Sequence, residues 1–208
     1  METSPEATVR LYRFAFRLAV FTIVYNVVEG IVASYLGFED ESLTLFGFGL
    51  DSFIEAISGL GIAHMILRIR KSRDANHDAF ERTALRITGF AFYLLTAGLV
   101  ITAGYNLYIG HKPVATLWGV IISLISIAVM WALLYAKVKT GRQLNSSAIL
   151  ADAECTRVCM YMSLVLLAAS GIYELTGFAY ADSIGTLGLA WFSFKEGREW
   201  FETAKEDK

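Results

Sequence analysis

Six apolar blocks divide this chain, at about 14–36, 43–67, 87–108, 115–135, 148–175 and 178–194. Each is of membrane-crossing length, which for a helix is about 20 residues. In hydrocarbon no water is present to satisfy backbone N–H and C=O groups, so a crossing segment must be a helix or a strand of a closed barrel. Blocks this long without strand-like alternation predict helices. Only 18% of the 208 residues are charged, where a soluble domain carries about a quarter, and the mean hydropathy is +0.50. The expected fold is an all-α membrane protein, a six-transmembrane-helix bundle occupying 1–208 as one domain. Two prolines and no low-complexity stretch give no sign of a linker.

The connectors sort by charge. All of the 18 Lys and Arg except Lys112 and Arg157 lie before or at the start of block one, between two and three, between four and five, or after six. Lys137, Lys139 and Arg142 form the four–five group. The other connectors hold Glu39, Asp40 and Glu41, His111 with Lys112, and Glu174. Positive residues stay on the cytoplasmic side, so both termini are expected there, in a multi-pass protein of the inner (plasma) membrane. The start METSPEATVRLYRF lacks the pattern of a removable signal peptide. About a dozen residues follow Glu196, too few for a further domain. The net charge of −2 argues against a nucleic-acid partner.

Carboxylates inside such blocks are costly, so they face a cavity, a partner or an ion. Block two contains FGFGLDSFIEAISG, which places Asp51 and Glu55 four apart on one helical face. Block five contains LADAECTRVC, with Cys155 and Cys159 at the same spacing and Asp152 within about 60° of them. Block one adds Asn26 and Glu29, three apart. Two such pairs on facing helices present four ligands, two oxygens and two sulfurs, around one point. That is the number a tetrahedral ion takes. Thiolates with carboxylates suit zinc and softer ions, whereas magnesium and calcium want oxygens alone.

Blander readings stand beside these. A cysteine in a membrane helix is usually a small packing residue, and a redox pair needs two intervening residues rather than three. Asp152 and Asp182 sit near block ends, where capping or interhelical hydrogen bonding is the simpler role. Glu29 is a candidate partner for Arg157, which points about 200° away from the cysteines. His64 and His77 read as interfacial residues. The stretch holding Asp74, His77, Asp78 and Glu81 has helical spacing for a second ion, although a solvated face explains it too.

The residues Asn26-x-x-Glu29-Gly30, FGFGLDSFIE, NSSAILADAECTRVC and Tyr180-Ala-Asp182 resemble the cation diffusion facilitators, and within them the compact bacterial cation transporters. The likeness runs from about Val20 to Trp200. It implies a central metal between blocks two and five, held by one i,i+4 pair from each, which falls on Asp51, Glu55, Cys155 and Cys159. Asn26, Glu29 and Asp152 are supporting candidates. Many relatives carry His and Asp in the block-five pair, and here both positions are Cys. The resemblance therefore leaves the choice among zinc, cadmium, mercury, iron and cobalt open. Many relatives also carry a cytoplasmic domain after block six, which is not expected here. A homodimer would then pack through membrane helices, for instance through TAGLVITAG in block three. The expectation is a non-enzymatic transporter with no cofactor, exporting a divalent transition metal, zinc foremost and cadmium or mercury as the alternative, in exchange for protons. Its rivals are a membrane metal sensor that moves nothing and a membrane thiol oxidoreductase.

Overall fold

The structure is a computed structural model that describes residues 5–71, 77–110, 112–114, 116–178 and 180–206, with side chains left out at 5–7, 65, 68–71, 77–88, 147–148, 151 and 203–206. It consists of six helices: α1 (Pro5–Glu39), α2 (Leu43–Lys71), α3 (His77–Ile109), α4 (Leu117–Leu144), α5 (Ser147–Thr176) and α6 (Ala181–Glu206). All are longer than the expected blocks at one end or both. At 1.5 Å per residue the 35 residues of α1 extend about 50 Å, well past a hydrocarbon core of about 30 Å.

Among the described residues five helices carry a stretch apolar enough to cross a membrane: Thr8–Glu39, Leu43–His64, Gly89–Ile109, Leu117–Leu144 and Asp152–Thr176. The expected sixth, α6, falls short of that mark. Asp182, Ser183, Thr186 and Ser193 lower its hydropathy, and all four are buried within the bundle. Buried polar groups depress a helix's average without exposing it to lipid.

α1 packs chiefly on α2, α3 on α6, and α4 on α5, while α2 also touches α3, α5 and α6. The α1–α2 connection spans only Asp40–Ser42. Glycine permits this tight pairing. A Cβ on Gly37 would lie 2.4 Å from the Phe46 nitrogen, and one on Gly49 2.5 Å from the Ser34 nitrogen. Without a hydrophobic drive in lipid, such close backbone approach is a main source of helix association. The α4–α5 connection is shorter still. Asn145 takes the left-handed conformation (φ 49°) that ends α4, and Ser146 caps α5 by accepting from the Ile149 nitrogen at 3.4 Å.

Three connectors meet at one end of the bundle. The Val114 nitrogen donates to the Asp40 carbonyl at 2.8 Å, and the Tyr173 hydroxyl donates to the Pro113 carbonyl at 2.7 Å. Asp182 of α6 caps α2, accepting from the Ser42 hydroxyl at 2.6 Å and the Leu43 and Thr44 nitrogens at 2.9 and 3.2 Å. The interhelical role expected of Asp182 is thus the one it plays. At the same end Glu174 accepts from the Thr116 nitrogen at 2.8 Å and caps α4. Partial burial, then Glu39 and Glu174, hold the Asp40 carboxyl above its ordinary range.

Candidate functional site

On α2, a stripe of Leu45, Phe48, Asp51, Ser52, Glu55 and Ser58 is buried. Its apolar members pack in the main core and its polar members face the neighbouring helices. On α5 the buried stripe is Asp152, Cys155, Thr156, Cys159, Ser163, Leu166 and Ser170, spaced by three and four. These stripes meet. The Cys159 thiol donates to Asp51 Oδ2 at 3.6 Å, and the Thr156 hydroxyl donates to Glu55 Oε1 at 3.0 Å. Asp51, Glu55, Cys155 and Cys159 are each at most 4% exposed, and both cysteines are free.

One oxygen of each carboxylate, Asp51 Oδ1 and Glu55 Oε2, is buried without a hydrogen-bond partner. A buried acceptor left this way costs free energy unless something arrives to satisfy it. Among the described residues, however, no three His, Cys, Asp or Glu side chains stand close enough to hold an ion as they are. The groups are gathered at one interface but not yet closed on a point.

Of the supporting candidates, Asn26 is fully buried with neither amide atom partnered. Glu29 accepts from the Tyr25 hydroxyl at 2.8 Å and the Ser52 hydroxyl at 3.1 Å. It does not meet Arg157, contrary to expectation. Arg157 instead pairs with Glu154 at 2.6 Å on the exposed side of α5, since its helical position turns it away from α1. His64 is exposed near the far end of α2. Asp74, and the side chains of His77, Asp78 and Glu81, lie outside the described residues.

Residues 15–206 match the family model of the cation efflux transmembrane domain. The chain belongs to the cation efflux family. A comparison with curated proteins gave no match. As a cation-efflux bundle it is a metal cation transmembrane transporter, and the family match runs from within α1 to the end of α6.

One residue beside this cluster of the cation-efflux domain was not anticipated. Lys137, assigned by its charge to the α4–α5 connector, lies inside α4 and is 1% exposed. Its ammonium sits 2.9 Å from Asp152 Oδ2 and donates to the Thr156 hydroxyl at 2.8 Å. The correction has a simple cause: α4 runs on to Leu144, so Lys137 is two turns from the helix end. The signal was available, because Met130, Leu133, Lys137, Thr140 and Gly141 share one buried face. Asp152, read from sequence as an interhelical group, therefore has its partner in α4. Farther along, the Ser163 hydroxyl donates to Ser126 of α4 at 3.0 Å. A cavity of about 810 Å³ opens elsewhere, between α2 and α3, but its wall is mostly Leu, Ile, Phe and Ala and suits hydrocarbon rather than an ion.

Proposed function

We propose that this protein exports a divalent transition metal, zinc or a softer relative such as cadmium or mercury, from the cytoplasm in exchange for protons. Asp51 and Glu55 of α2 and Cys155 and Cys159 of α5 hold the ion. The observation that carries this reading is the pair of unpartnered oxygens, Asp51 Oδ1 and Glu55 Oε2, buried across from two free thiols. A cation satisfies both oxygens and offsets the charge that burial disfavours. The ligands close around it by side-chain rotation and a small approach of α2 and α5.

Thiols and carboxyls must lose protons to bind a metal, so reprotonation from the far side expels it. Rocking of helices about a midplane site then gives alternating access. The positive connectors support a topology with both termini on the cytoplasmic side of the inner membrane. A second copy packs on α3, where a Cβ at Gly98 or Gly104 would meet no atom within 4 Å.

The test is reconstitution in liposomes with a panel of zinc, cadmium, mercury, iron and cobalt, with and without a pH gradient. Uptake driven by the gradient is expected. Asp51→Asn and Glu55→Gln, which keep shape but remove charge, are each expected to abolish it while eluting as folded protein. Wild-type flux in either variant would refute the site. Metal binding without any flux would instead favour a membrane sensor.

A further inference from the structure

The ion site contains a resident cation. Lys137 is the one Lys or Arg among the described side chains that is buried in the bundle with a salt bridge, to Asp152 at 2.9 Å. Its second hydrogen bond, at 2.8 Å, goes to Thr156, whose hydroxyl passes on to Glu55 Oε1 at 3.0 Å. The ammonium is therefore one hydroxyl away from the carboxylate whose other oxygen, Oε2, is left unpartnered for the arriving ion. Burying a Lys–Asp pair is expensive and seldom justified by stability alone, since apolar residues of the same volume do as well or better. A transporter has another reason to keep one. It must bind its ion tightly enough to select it and loosely enough to let it go.

We propose that Lys137 is a tethered counter-cation that sets the affinity of the transport site. In the empty protein it neutralises Asp152 and, through Thr156, steadies Glu55. When a divalent ion arrives, the fixed positive charge nearby weakens its hold, and Asp152 is kept as a partner for Lys137 rather than a fifth ligand. Asp152 Oδ1, buried and unpartnered, is the oxygen that would bind an ion if Lys137 were absent. This inference rests on the four-ligand site proposed above, and it concerns a fixed charge.

The signs of the expected effects are opposite for the two members of the pair. In Lys137→Met the repulsion is gone and Asp152 is free, so the dissociation constant for zinc or cadmium falls about tenfold and turnover slows. In Asp152→Asn the ammonium has only Thr156 and Glu55 to lean on, so the dissociation constant rises about tenfold. The double variant, Lys137→Met with Asp152→Asn, removes both charges and returns to within about threefold of wild type. The measurement is competition of zinc or cadmium against a chelating dye on the purified, detergent-solubilised full chain. A pair that only braces α4 against α5 would lower thermal stability in both single variants and leave the affinity of the folded protein unchanged, and that result overturns the proposal. If Lys137→Met does not fold, Asp152→Asn and the double variant still decide, because a double variant as weak as Asp152→Asn refutes it. Asp51→Asn is run alongside. Undiminished zinc binding there would sink the four-ligand site itself, whereas lost binding there with an unresponsive pair sinks only the role of Lys137.

Discussion

Sulfur is what sets the proposed ion site apart from an oxygen cage. Cys155 and Cys159 lie on successive turns of α5, both buried and both free, and the Cys159 thiol donates to Asp51. Thiolates favour softer ions, and imidazole and carboxylate lean toward harder ones. Replacing Cys155 by His and Cys159 by Asp retains the i,i+4 spacing, so preference is expected to move from cadmium or mercury toward zinc, manganese or cobalt. The shift is read from competition transport in liposomes. Arg157→Lys is the control, because its partner is Glu154 on the outer side of α5 and the ranking should not move. An unchanged ranking in the double substitution would make the cysteines packing residues. The ligand set would then have to be sought among Asp51, Glu55, Glu29 and Asp152. Glu29 is the less promising of these, since both of its oxygens already accept hydrogen bonds.

At the scale of elements, α2 carries two of the four proposed ligands, and its membrane-length stretch is the most deeply buried of the five among the described residues. Gly37 and Gly49 set its distance from α1, and α5 and α6 enclose the rest. Its first turn is capped from another helix. Asp182 of α6 takes the Leu43 and Thr44 nitrogens, and Thr44 returns a hydrogen bond to the Asp182 carbonyl at 2.5 Å. One carboxylate thus satisfies donors that α2 would otherwise leave orphaned, and ties α2 to α6 at the same time. Asp182→Ala is expected to cost about 1–2 kcal/mol, the range of a lost N-cap. The loss should appear as a lower thermal midpoint in detergent. Asp182→Asn, which still accepts one bond, should lose less. Equal midpoints for wild type and alanine would show that water or Ser42 replaces the cap.

The whole molecule is an even-numbered hairpin stack, and that parity can be measured. The connectors at 40–42 and 110–116 and the adjoining ends of α5 and α6 are joined by the Val114–Asp40, Tyr173–Pro113 and Ser42–Asp182 hydrogen bonds. Reporters fused after Asp40, Lys112 and Phe178 are therefore expected on one side of the membrane. Reporters after Asn145 and Lys208 are expected on the other. The sensitive position is Lys208, because α6 is the helix whose average hydropathy falls short. If Lys208 reports the same side as Phe178, α6 does not cross and only five spans remain. Agreement of Lys208 with Asn145 establishes six.

What the amino-acid sequence by itself determined was local and periodic. Lipid leaves the backbone little choice but helix, so apolar length alone marked all six helices. The 3.6-residue repeat alone placed Asp51 with Glu55, and Cys155 with Cys159, on common faces. Asp182 was legible as an interhelical group from its place near a span end. What only the tertiary structure decided was which faces meet, since that depends on the rotation and spacing of helices far apart in sequence. Glu29 found Tyr25 and Ser52 rather than Arg157, because α1 lies against α2 and Arg157 looks outward. Lys137 is the sharpest case. Its charge marked it for a connector, yet the buried stripe of α4 carried it inward to Asp152, where a cation from one helix could be balanced only by a carboxylate from another.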